Sequence, residues 1–397
     1  MRKITADFVY TMTGDAREKA VIVVDNKGVI LQIDNRNEHD PASLEIYTGV
    51  IIPGFINTHC HLELSHMKGK VDTGTQLIPF ITNVVKYRDV PQEEIQAAIT
   101  AADEEMQREG IVAVGDISNK QDTITTKWQS PIRYYTFVEM FDFLQEKGAA
   151  DCVAQYMPVY DNQPNEGGNR RSAVPHAPYS VSKALFQAIN GLNKGQATVS
   201  IHNQETPPEN ELFLHKTGDF IDFYNSFGID LSEFKATGKP AIQYALDHLD
   251  PTCRTLFVHN TISTPTDIQA AHAWGQNGVY WATCANANLY IENQLPNYRY
   301  FIEAGAKMTI GTDSLTSNWQ LSVLDELKTI SKYQSYVPFA TLLQWATLNG
   351  AEALQFDDTL GSISPGKQPG LNLLENLSGN HPDNYRFAAD TKVRKLV

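Results

Sequence analysis

Val50-Ile51-Ile52-Pro53-Gly54-Phe55-Ile56-Asn57-Thr58-His59-Cys60-His61 decides how the rest of the chain is read. The stretch opens as an apolar β-run and closes on His59-x-His61. Alternate side chains of a strand share a face, so His59 and His61 point together while Cys60 points away. Two imidazoles held this way can grip one metal ion, although an isolated pair also reads as two polar residues at a strand end. Further ligand-type residues downstream favour the metal.

Past His61, helical and strand patterns alternate. Gln92 to Arg108 carries Ile95, Ala98, Ile99, Ala102 and Met106 on one helical face, with Gly110 as its stop. Strands are expected at Ile111–Val114, Arg133–Val138, Ala173–His176, Ala197–His202, Leu256–His259, Gly278–Trp281 and Lys307–Asp313. With the His59 strand these make eight, and the alternation predicts an α/β fold, a (β/α)8 TIM barrel over residues 51–355. Such barrels place their chemistry at the C-terminal strand ends, where several of these strands carry His or Asp. A polar loop from Asp161 to Arg171 and a long loop from His202 to Pro240 are expected. With residues 66–90, the segments 161–171 and 206–240 are expected to shape a pocket. Residues 1–50 alternate in the β manner around a hairpin turn at Asp25-Asn26-Lys27-Gly28, and residues 356–397 return to short β segments that complete the same unit.

The chain has 397 residues, 42% hydrophobic and 20% charged, an ordinary globular balance. Its net charge of -14 argues against nucleic acid or an anionic membrane surface as partner, but not against a small-molecule substrate. The first residues lack the apolar core of a secretory signal, and no apolar run reaches the roughly 18 residues of a membrane span. Cys60, Cys152, Cys253 and Cys284 form no Cys-x-x-Cys pair and read as free thiols of a cytoplasmic protein. The sequence leaves room for a homodimer.

His59, His61, His202 and Asp313 form a ligand set for one divalent ion, Zn or alternatively Fe. Such an ion would ionise water near neutral pH. His202-x-x-Glu205 can put a ligand and a general acid/base in one pocket. His259 ends a strand and would hold the attacking water or the developing oxyanion, or else is a hydrogen-bonded core histidine. His176, between Pro175 and Pro178, contacts substrate or fixes its loop. Glu63 touches substrate or forms a salt bridge. Neither Cys60 nor Cys284 is read as a nucleophile.

These motifs resemble the amidohydrolase superfamily, in the branch of cytosine, guanine, adenosine and S-adenosylhomocysteine deaminases and s-triazine hydrolases. Residues 53–61 resemble the family's first-strand motif, His176-Ala177-Pro178-Tyr179-Ser180 the fourth-strand motif, His202-Asn203-Gln204-Glu205 the His-x-x-Glu, and Gly311-Thr312-Asp313-Ser314 the last-strand motif. Leu360 to Leu374 resembles the return into a β-sandwich built from both termini. Leu62-Glu63-Leu64-Ser65 and the run from Leu295-Pro296-Asn297 through Gly311 to Asn318 are similar to aminodeoxyfutalosine deaminases. Gln204, Asn260 and Cys284-Ala285-Asn286-Ala287-Asn288 depart from the usual pattern and leave the pocket's shape open.

The resemblance implies one metal on His59, His61, His202 and Asp313; the fourth-strand end, Ser172 to His176, has no lysine to bridge a second. It also implies a hydrolytic deaminase of an N-heteroaromatic substrate. Asp313 would take the proton of the attacking water, Glu205 would protonate the ring nitrogen and then the leaving amine, and His259 would steady the tetrahedral centre. Glu63, Ser65 and His176 are the expected substrate contacts. The favoured substrate is an adenine nucleoside derivative, aminodeoxyfutalosine being the leading specific choice, with Arg170 or Arg171 for its carboxylate. A free-base deaminase, a chloro or amide hydrolase of the same fold, and a non-catalytic barrel are the alternatives.

Overall fold

The computed structural model describes all of residues 1–397. Its centre is eight parallel strands: β1 Phe55–Cys60, β2 Ile111–Ser118, β3 Arg133–Met140, β4 Arg170–Pro175, β5 Thr198–Asn203, β6 Arg254–His259, β7 Val279–Thr283 and β8 Lys307–Ile310. They form two four-stranded sheets, ordered β4-β3-β2-β1 and β5-β6-β7-β8. The sheets meet along both edges. At one seam the His202 amide donates to the His176 carbonyl at 2.9 Å. At the other, a parallel bridge joins Cys60 and Asp313, and the Thr312 and Asp313 amides both donate to the His59 carbonyl at 3.0 Å. The strands are almost continuously buried, as parallel strands covered on both faces must be. They anchor an apolar core of 73 buried residues.

Helix Gln92–Arg108 forms where its periodicity predicts, burying Ile95, Ile99, Ala102 and Met106 and leaving Ala98 half-buried. No helix is long and apolar enough to cross a membrane.

Three expectations are corrected. The apolar run before His59 is two strands, not one. Val50–Pro53 pairs with Leu371–Glu375 and Phe8–Val9 in a terminal sheet, so the boundary drawn after residue 50 falls at the start of a strand. The chain enters β1 only after Gly54, where a Cβ would lie 2.4 Å from Val112 Cγ1 and 2.8 Å from the Pro369 carbonyl oxygen. The segment from His202 to Pro240 is not an open loop. It holds helices Pro207–His215 and Asp219–Ser226, whose Leu212, Phe213, Phe220, Phe223 and Tyr224 bury their side chains. Finally, Arg170 and Arg171 belong to β4 rather than to the loop before it.

The termini supply two further sheets. One orders Ile30–Asn35, Ala20–Val24, Arg2–Thr5 and Glu45–Ile46; the other orders Lys392–Lys395, Leu371–Glu375, Val50–Pro53, Phe8–Val9 and Arg17–Glu18. A cluster of 11 buried apolar residues takes Ile4, Ile22 and Ile30 from the first and Val9, Ile51, Leu371 and Leu373 from the second.

Candidate active site

His59 and His61 leave the end of β1 toward one point, as the two-residue period requires. His202 arrives from β5 and Asp313 from the turn after β8. His59 Nε2 and His61 Nε2 lie 3.2 Å apart, and His61 Nε2 and His202 Nε2 3.3 Å. Asp313 Oδ1 is 3.4 Å from His61 Nε2 and 3.6 Å from His59 Nε2. Ligand atoms around a tetrahedral zinc, with bonds of about 2.0–2.1 Å, stand roughly 3.3–3.4 Å apart. The four donor atoms fit such an ion. Gly311 permits the approach of β8, because a Cβ there would meet the His59 Cβ and Cys284 Sγ at 2.8 Å each.

The electrostatics suit the same purpose. Burial lowers the pKa of His59, His61 and His202, that of His61 to about 3, so each imidazole is neutral and has a lone pair to offer. Burial alone would raise Asp313, but the imidazoles of His59, His61 and His259 around it hold it below the usual carboxylate range. The Ser317 hydroxyl donates to its Oδ2 at 2.6 Å. His202 Nδ1 donates to the His176 carbonyl at 2.9 Å, and His259 Nδ1 to Asn288 Oδ1 at 2.8 Å, which turns both Nε2 atoms toward the cluster. Glu205 is buried with Oε1 3.8 Å from His259 Nε2. Burial, with the charges of Asp313 and Glu292, raises its pKa well above the ordinary value and keeps its proton on. Glu209 pins the turn that carries Glu205 by accepting from the Gln204, Glu205 and Thr206 amides.

Gln204, His259, Asn260 and Asp313 all adopt positive φ, between 46° and 72°. Left-handed backbone costs a non-glycine residue on the order of 1 kcal/mol or more, and four such residues at the ends of three strands mark a built site.

The cluster floors a cavity that opens to solvent, the cavity and its open mouth together holding about 1000 Å³ of empty space. Glu139, His176, Glu205, His259 and Ser314 line it beside His61, His202 and Asp313, with His59 buried behind them. The opposite wall is apolar: Leu77, Phe80, Ile81, Val84 and Val85 from helix Leu77–Tyr87, Phe141 and Phe143 after β3, and Tyr179, Phe223, Tyr224 and Ile291. Leu64, Arg88, Asn119 and Ser180 complete the lining.

Of the expected substrate contacts, His176 faces the cavity and its Nδ1 is paired with the Ser180 hydroxyl at 2.7 Å. Glu63 and Ser65 do not face it; in the turn after His61 only Leu64 reaches the cavity. Glu63 Oε2 accepts from the Asn119 and Lys120 amides and its Oε1 lies 3.5 Å from Arg88, while the Ser65 hydroxyl donates to the Leu62 carbonyl. Arg170 and Arg171 sit at the N-terminal end of β4, opposite the cluster, with their guanidinium groups over the rings of Phe356 and Tyr160. Residues 161–171 therefore contribute nothing to the cavity. Gln204 and Asn260 are buried in hydrogen bonds to Ser263, Asp267 and Asn203, outside the lining. Glu139 was within reach of the sequence, since extending β3 by two residues ends it beside the cluster. Arg88 carried no comparable signal.

A three-imidazole, one-carboxylate cluster at the C-terminal ends of parallel strands defines a recognisable class of α/β hydrolytic scaffold. Residues 50–397 match the model of the Amidohydrolase family, and the chain belongs to that family. It is a hydrolase acting on carbon–nitrogen bonds. It is 30% identical over 331 residues to an adenosine deaminase of Helicobacter pylori, covering 82% of this chain and 78% of that one. To an aminodeoxyfutalosine deaminase of Nitratiruptor it is 26% identical over 348 residues, 85% of this chain and 80% of the other. The solved structure of Helicobacter pylori aminofutalosine deaminase with methylthio-coformycin shares its fold, with a TM-score of 0.82, 24% identity and full coverage of both chains.

Proposed function

We propose that this chain is a metal-dependent hydrolytic deaminase of an adenine nucleoside derivative, working in the cytoplasm with one zinc ion. In this reading the two parallel sheets close into a (β/α)8 barrel and the terminal sheets form a β-sandwich. The observation that carries the function is the meeting of His59, His61 and His202 around His61 Nε2, at 3.2 and 3.3 Å, with Asp313 Oδ1 3.4 Å from His61 and 3.6 Å from His59, beside buried Glu205 and oriented His259. The relatives named as adenosine and aminodeoxyfutalosine deaminases support it.

His59, His61, His202 and Asp313 hold the ion, which when bound would make a water acidic enough to supply hydroxide near neutral pH. Asp313 accepts the proton of the attacking water. Glu205 begins protonated, donates to the ring nitrogen next to the attacked carbon, takes up the hydroxyl proton of the tetrahedral centre and passes it to the departing amine, after which the proton held by Asp313 restores Glu205. His259, its Nδ1–H committed to Asn288, turns Nε2 toward the tetrahedral centre. His176 lies on the cavity wall beside the ring that would be bound.

The cavity extends from this cluster along the Leu77–Tyr87 helix, further than a free base needs, which favours a nucleoside with a substituent beyond the sugar. Aminodeoxyfutalosine is the leading choice. Arg88, the one basic side chain of the lining, replaces Arg170 and Arg171 as the cation for its carboxylate. Ammonia release should be measured side by side for aminodeoxyfutalosine, adenosine, S-adenosylhomocysteine, adenine, guanine and cytosine. The highest kcat/KM is expected for a nucleoside; a free base that outruns every nucleoside would overturn the substrate assignment and leave the deaminase chemistry standing.

A further inference from the structure

Behind His61 lies a charged pair that the catalytic reading leaves unused. Lys127, on helix Ile124–Gln129, is fully buried. Its ammonium donates to Asp116 Oδ2 at 2.6 Å and to the hydroxyls of Ser118 and Thr136 at 3.0 Å each. Asp116, on β2 and equally buried, accepts from the Leu62 amide through Oδ1 at 2.8 Å. Replacing a buried ion pair by apolar groups of similar volume is often neutral or stabilising, because both charges must be stripped of water. Stability alone is a poor reason for this one.

Its position supplies a better reason. Leu62 follows His61 directly, where the backbone leaves the strand at φ -120° and ψ 78°. A bond to the Leu62 amide fixes that ψ and with it the aim of the His61 ring. His202 and His259 are each oriented by a hydrogen bond at Nδ1, and the His59 ring is fully enclosed although its Nδ1 has no partner. The His61 ring faces the cavity, and its hydrogen bonds run only to the other ligand-type groups, so its own backbone is what remains to aim it.

We propose that Asp116 and Lys127 form a positioning pair for His61: Lys127 clamps the Asp116 carboxylate, and the carboxylate sets the Leu62 amide. The proposal rests on His61 being a metal ligand. Zinc affinity of the folded apoprotein, measured by chelator competition, tests both parts separately. A wild-type apoprotein that binds no zinc overturns the metal reading itself. If it binds, D116A/K127M, which removes both charges together, should hold zinc about 10–100-fold more weakly, the usual effect of losing a partner behind a ligand. D116N/K127M keeps an oxygen for the Leu62 amide but no clamp on it, and should recover part of that loss. Wild-type affinity in a folded D116A/K127M protein, or equal losses in the two variants, overturns the positioning role. Amide hydrogen exchange at Leu62 in the same proteins closes the remaining gap. Should D116A/K127M not fold, a D116N/K127M or K127M protein that loses Leu62 protection yet keeps wild-type zinc affinity overturns the proposal, whereas losses that move together sustain it.

Discussion

The floor of the cavity and its wall are built on opposite principles. The floor is polar, nearly dry, and made of residues at the ends of β1, β5, β6 and β8, all seated on the main core of 73 residues. The wall is apolar and made largely of helices Leu77–Tyr87 and Asp219–Ser226, which share a separate cluster of 16 buried residues with Met67, Tyr179 and Tyr290. It also carries exposed apolar surface at Val85, Tyr87 and Phe227. A separate small cluster can loosen without disturbing the large one. Reaction chemistry is thus placed on the rigid part, and selection among substrates on the part that can adjust.

Substitutions should divide along the same line. The largest effect is expected at Asp313. D313A should lose both metal and turnover, to background activity, in paired metal analysis and ammonia assays; a metal-loaded, active D313A protein would merge floor and wall into one. E205Q should keep its metal and lose roughly 10²-fold or more in kcat, the usual size of a general acid/base contribution. Near-normal turnover there would remove Glu205 as the proton carrier. On the wall, I81A gives up apolar contact worth roughly 1–2 kcal/mol, so kcat/KM for the best nucleoside should fall about tenfold. Most of that should appear in KM, with adenine little affected. An equal loss for the free base would show that the wall acts through the floor.

The last effect concerns the floor's support and is read in stability, with turnover least affected. Glu326 accepts from the Asn286 amide and the Asn318 side chain, and Asn318 in turn donates to the Thr312 carbonyl. Burial pushes its carboxyl up to about 8 from the ordinary 4.5. A group whose folded pKa is raised contributes most below the unfolded value and loses that contribution as pH rises to the folded one. Wild type should therefore lose stability relative to E326Q between about pH 4.5 and 8, by at most about 1.4 kcal/mol per pH unit, and no further above pH 8. Melting temperatures of both proteins at pH 5, 7 and 9 give the comparison, and a difference that ignores pH would mean the carboxyl is ionised throughout.

The two regions also differed in how far they could be read from the residues. His59, His61, His202, Glu205, His259 and Asp313 stood out because ligand-type side chains closing apolar strands have few other uses, and the structure brings all six together. Eight strands were visible for a similar reason, since buried parallel strands are unbroken apolar runs. The wall was hidden. Phe80 and Phe223 have helical spacing within segments that read as loops, and spacing cannot say that a helix faces a cavity. Arg88 is one of 32 basic residues, with no pattern around it. Arg170 and Arg171 misled because a strand has two ends and only its C-terminal end reaches the site. Glu63 and Ser65 misled because proximity to His61 along the chain was taken for proximity in space.

The four ligand-type groups are contributed by β1, β5 and the turn after β8, so the first and the last arrive at opposite ends of the chain's synthesis. A ribosome that has released residues through β5 presents three imidazoles on an unclosed half-structure and no carboxylate. The bridge between Cys60 and Asp313 that brings the fourth donor in is also the seam between the first and last strands. Under the proposed metal reading, full-affinity capture would therefore be a late event in the life of each molecule, coincident with the joining of the two sheets, and a chain stalled or truncated before Asp313 should bind its ion more weakly than the finished protein.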